Sequence, residues 1–103
     1  MTTAQILPGT LELLILRAVS LGSLHGYGVL RRIEQLSSGA LLIEEGALYP
    51  ALWRLERQKL VKAEWGVSDN NRKAKFYSIT NEGKARLGEQ VEAWDRLVGA
   101  MGL

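Results

Sequence analysis

The chain has 103 residues, 47% hydrophobic and 23% charged, with 13 Lys or Arg against 11 Asp or Glu and a net charge of +2. That length fits one small domain with a modest core, for which oligomerisation is an expected source of added stability. The absence of cysteine excludes disulfides, thiolate nucleophiles and cysteine metal sites and suits a reducing cytoplasm, and so weak a net charge leaves the placement of the cations to decide whether nucleic acid is a partner.

Residues 1–8 read as a loose arm without the basic region of an export signal. A first helix is predicted over about 10–21, with Thr10 as N-cap and Gly22 as its stop. Leu11, Leu13, Leu14, Ile15, Leu16, Ala18 and Val19 leave it almost no polar face, so it is expected to be buried nearly all round, in part against a second copy through Leu13 and Leu14. This stretch carries Glu12 and Arg17 and is too short to span a bilayer, so no membrane association is expected. A second helix follows over about 26–37, with Val29, Leu30, Ile33 and Leu36 as its apolar stripe and Arg31, Arg32 and Glu34 outward. The third, over about 46–59, buries Leu48, Ala51, Leu52 and Leu55 and turns Tyr49, Trp53, Arg54, Glu56 and Arg57 largely to the other side. Pro50 is tolerable there because a missing N–H near a first turn costs little.

Strands are predicted over about 61–66 and 75–80. Val61, Ala63 and Trp65 alternate with Lys62 and Glu64, and Tyr77 and Ile79 repeat the pattern, so Trp65 and Tyr77 are expected in the core. The intervening Asp69, Asn70 and Asn71 suit a hairpin tip, which then turns basic at Arg72, Lys73 and Lys75. A last helix is predicted to begin after the N-cap Thr80, with Glu82 in its first turn, and to run toward Ala100. Leu87, Val91, Trp94, Leu97, Val98 and Met101 form a narrow coiled-coil-like seam along it. No later element in this chain covers that seam, so a homodimer interface is expected there.

The predicted fold is therefore mainly α with a small β-hairpin, an α+β winged helix-turn-helix over 1–80 followed by a dimerisation helix over 81–103. In such a fold the third helix enters the DNA major groove with its N-terminal residues deepest, here Glu45, Gly46, Ala47, Leu48 and Tyr49. Arg54 on its polar face reaches a phosphate or a guanine edge, and the hairpin lays Arg72 and Lys73 along the backbone or in the adjacent minor groove. Nine of the 13 basic residues fall in the second helix, third helix or hairpin, and seven of these, Arg31, Arg32, Arg54, Arg57, Arg72, Lys73 and Lys75, are the group expected to meet DNA.

Three stretches, LPGTLELLILRAVSLGSLHGYGVLRRIEQLS, EEGALYPALWRLERQKLVKAEWG and KFYSITNEGKARL, closely resemble the PadR family of transcriptional regulators. The resemblance covers essentially the whole chain, EEGALYPALWRLE being its most specific run. It implies a homodimeric repressor of the smaller subgroup, with a short single C-terminal helix packed on its partner. It also implies that Tyr27, Ala47 to Tyr49 and the wing face double-stranded DNA. The wing departs from the family pattern, carrying Asn70-Asn71 in place of a glycine pair and Ala74 within its basic run, with Asn71 as a further candidate contact. By the same resemblance, Trp94 is a candidate platform for a small flat aromatic effector at the dimer centre. Trp53 has two readings, contact with DNA sugar or a cap on the core.

Nothing points to an enzyme or a cofactor. His25 is the only histidine, so no histidine pair can hold a metal, and it is expected to cap or pack at the turn before the second helix. The Gly26-Tyr27-Gly28 triplet lacks the rest of a nucleotide fingerprint. The expected function is sequence-specific binding of duplex DNA, with repression as its outcome. The alternative is a winged-helix protein-interaction module that binds no DNA.

Overall fold

Eleven residues, Thr10–Ser20, form α1, and Ile15, Leu16, Ala18 and Val19 on it are buried. The computed structural model describes residues 9–102, so the arm expected over residues 1–8 lies outside the described residues. The N-cap is Gly9, left-handed at φ 83°, and not Thr10, which is the first helical residue. The elements that follow are β1 (Leu24–His25), α2 (Gly26–Leu36), α3 (Glu45–Arg57), β2 (Val61–Val67), β3 (Lys73–Ile79) and α4 (Asn81–Ala100).

His25 caps α2: the Gly28 N–H donates to its Nδ1 at 3.0 Å, while the ring meets Phe76 edge-on at 5.4 Å. Thr80 caps α4 by accepting the Gly83 N–H at 3.0 Å. Its hydroxyl in turn donates to the Lys59 carbonyl at 2.7 Å, fastening the start of α4 to the end of α3. Gly83 is required there, because a Cβ would overlap the Leu60 carbonyl oxygen.

The sheet has three antiparallel strands in the order β1-β3-β2, one more than the predicted hairpin. In the added pairing Leu24 faces Tyr77 and His25 faces Phe76. A two-residue strand carries no periodicity, so sequence reading passes over it. Between β2 and β3 the tip closes with the Asn71 N–H donating to the Ser68 carbonyl at 2.9 Å. Asn71 is left-handed there, at φ 56°, a conformation that asparagine tolerates.

The core joins Ile15, Leu16, Ala18 and Val19 of α1, Val29 and Ile33 of α2, and Leu48, Ala51, Leu52 and Leu55 of α3 to Leu60, Val61 and Tyr77. Burial pushes the Tyr77 phenol above its usual pKa, a rise the nearby Lys75 ammonium opposes. Trp65 corrects its prediction. It shares a strand face with Val61 and Ala63, but the strand continues past the edge of the core, and the ring is 65% exposed. The seam on α4 also divides. Leu87 packs partly against the chain's own core, as does Leu14, whereas Val91, Trp94, Leu97, Val98 and Met101 are exposed. Among the described residues no helix is long and apolar enough to cross a membrane.

Candidate nucleic-acid interface

On α3 the buried residues Leu48, Ala51, Leu52 and Leu55 follow three- and four-residue steps, so the opposite face of the helix is free. Glu45, Gly46, Ala47, Tyr49, Pro50, Trp53 and Arg57 are exposed. Pro50 stands one turn beyond Gly46 and removes the N–H that would pair with its carbonyl, on the exposed side where water can substitute. Leu48, counted among the groove residues from its position in the chain, is fully buried and cannot reach a base. It anchors the helix instead.

Two side chains brace α3 on opposite flanks. Arg54 donates through Nη2 to Glu12 Oε1 of α1 at 2.6 Å, and Lys75 of β3 donates to Glu56 Oε1 at 3.3 Å. Arg54, expected from the sequence to meet a phosphate or a guanine edge, is thus paired within the chain while its side chain stays half-exposed. It lies on the α1 side, in a recess of about 530 Å³ also lined by Leu13, Leu16, Arg86, Trp94 and Leu97. The helix pattern separates core from surface, but it cannot tell which flank a neighbouring helix will occupy.

A second recess, of about 740 Å³, opens between the start of α2, Tyr49 and the wing. It gathers Tyr27, Arg31, Tyr49, Arg72, Lys73 and Lys75, all named from the sequence, and adds Trp65. Tyr49 lies against Gly26 so closely that a Cβ there would stand 2.5 Å from the phenol oxygen. Cations sit over aromatic rings in this region, Arg31 over Tyr27 at 5.9 Å and Lys73 over Trp65 at 5.2 Å. Such pairing holds the charge in place without neutralising it. Asn71 is exposed at the wing tip. Trp65 was missed because its strand alternation marked it as core.

The resulting surface is a helix with a free polar-aromatic face, flanked by a basic two-stranded wing and by a tyrosine–arginine pair at the start of the preceding helix. Residues 15–89 match the model of the transcriptional regulator PadR-like family. The chain belongs to that family. A Lysinibacillus sphaericus chain, Uncharacterized protein X, is 33% identical over 94 residues, covering 91% of this chain and 86% of its own. The PadR-like transcriptional regulator of Bacillus cereus has the same fold at a TM-score of 0.80 and 28% identity, over 96% of this chain and 94% of that one. The PadR family regulator of Eggerthella lenta superposes at a TM-score of 0.76 and 32% identity, over 91% and 80%. With its winged-helix architecture, this PadR-like chain is a DNA-binding transcriptional regulator and not an enzyme. Among the described residues no group of three or more His, Asp or Glu is placed to hold a metal.

Proposed function

We propose that this PadR-like regulator binds a pseudo-palindromic operator as a homodimer and represses transcription from it. The observation that carries the DNA surface is the convergence of Tyr27, Arg31, Tyr49, Arg72 and Lys73 around one recess beside the free face of α3. Cations in the wing suit the phosphate backbone, and the exposed start of α3 suits the major groove. The exposed apolar row Val91, Trp94, Leu97, Val98 and Met101 supports the dimer, because a monomer would leave it in water. Residues 81–103 act as the dimerisation helix, and 1–80 as the DNA-binding part.

Selection of bound duplexes from a random pool tests this proposal. The expected result is a two-fold symmetric motif with half-sites about one helical turn apart. Failure of the folded dimer to enrich any sequence would favour the protein-interaction module. A flat aromatic effector stacked on Trp94 would occupy the recess between α1 and α4 and relieve repression. Aromatic compounds are then expected to quench tryptophan fluorescence and weaken operator binding together. A broad panel that changes neither signal removes the effector.

A further inference from the structure

Along α3, Glu45, Tyr49, Trp53 and Arg57 recur at four-residue spacing and form one exposed ridge. Tyr49 is 48% exposed and Trp53 57%. Trp53 takes no part in the core cluster, and the Arg57 guanidinium carbon sits 4.7 Å over its ring. The ridge is set apart from the α1 flank, where Arg54 meets Glu12, so the apolar seam on α4 does not explain it. From Tyr49 to Arg57 the helix rises about 12 Å, close to the width of the major groove.

We infer that Trp53 is a specificity-determining residue, its indole packing against the C5-methyl group of a thymine in the major groove while Arg57, held over the ring, takes the adjacent backbone phosphate. This rests on the DNA-binding reading above and names what its third helix recognises. The occupant follows from chemistry on the surface. A large indole left in water at the centre of a ridge needs an apolar partner, and the thymine methyl is the apolar group that base edges present in that groove. Arg57 at the end of the ridge, with Arg72 and Lys73 on the wing, supplies the complementary charge for the strands around it.

The test uses the operator obtained by selection, with each thymine replaced in turn by deoxyuridine, which removes the methyl and keeps the hydrogen-bonding edge. One replacement within the α3 half-site is expected to weaken the intact protein about fourfold, the value of one buried methyl. Trp53→Ala is expected to bind the unmodified operator at least fourfold more weakly, to be indifferent to that same replacement, and to melt at the temperature of the parent. Three results would each overturn the assignment: no thymine in the half-site, parental affinity in Trp53→Ala, or undiminished uridine sensitivity in Trp53→Ala at every thymine. Absence of salt-dependent duplex binding by the parent would overturn the underlying reading as well, so the two failures are told apart by the parent alone.

Discussion

Replacing Leu97 by Asp should dissociate the protein into folded monomers. Leu97 is 48% exposed, so about half its side chain is available to a partner. Full burial of a leucine stabilises by about 1.5–3 kcal/mol, which leaves about 1 kcal/mol for each copy and about 2 kcal/mol for a symmetric pair. The new carboxylates add to this loss. Three and four residues away stand Ala93, Trp94, Ala100 and Met101, so no cation one turn away on α4 neutralises the charge. A fully buried unpaired charge costs about 3–5 kcal/mol, and a half-buried one about 1–2 kcal/mol, again twice per dimer. Together these weaken association by about 4–6 kcal/mol, or about 10³- to 10⁴-fold. Sedimentation equilibrium across a concentration series measures this directly, with helix content by circular dichroism as the control. Because Leu97 is outside the core cluster, helix content should persist. A variant that remains dimeric at the parental concentration would refute the placement of the interface on this seam.

Replacing Arg72 and Lys73 by Ala should lower affinity for all duplexes and flatten the salt dependence by about 1.8 in log–log slope, and an unchanged slope would remove the wing from the phosphates. Because Arg54 is engaged by Glu12 and half-exposed, Arg54→Ala should cost under about 1 kcal/mol of stability in denaturant titration, and Glu12→Gln should add little to it. A strictly additive double variant would mean that the pair is not formed. Gly83→Ala would gain about 1 kcal/mol from helix propensity alone, yet overlap with the Leu60 carbonyl should make it destabilising by about 2 kcal/mol, and a raised melting temperature would contradict that approach. Because burial raises the Tyr77 pKa, its phenol ionises later in the folded chain than in the unfolded one. Its contribution is therefore complete below about pH 10 and lost as pH climbs through the raised value, and Tyr77→Phe should flatten that alkaline decline in stability.

The sequence made the helices legible because Leu48, Ala51, Leu52 and Leu55, or Val29 and Ile33, repeat at helical steps that only a one-sided burial explains. Thr80 was legible as a cap because its hydroxyl needs only local geometry. Trp65 was misplaced because alternation reports which side of a strand a residue takes, but not how far the covering helix extends. The pairing of Arg54 with Glu12 was not legible, because helical phase defines a buried stripe and an open arc, and the arc has two edges. The α1 carboxylate on one edge lies 42 residues away in the chain and leaves no local trace. Leu48 was assigned by its place near the start of the helix even though the same pattern marked it as core.

The two edges of that arc also show how α3 is held. Its buried stripe supplies the energy, since each leucine there is worth about 1.5–3 kcal/mol. A stripe of similar leucines nevertheless permits small rotations about the helix axis at little cost, and side chains at the ridge would swing with them. Arg54 bound to α1 and Glu56 bound to the wing oppose rotation from both sides. Each contact is partly exposed and worth under about 1 kcal/mol, so neither accounts for stability. Their joint effect is orientation: Tyr49, Trp53 and Arg57 are presented as one fixed line. A surface that must discriminate among base edges needs its contact groups held within about 0.5 Å, and two weak ties on opposite flanks meet that need better than one strong tie on a single side.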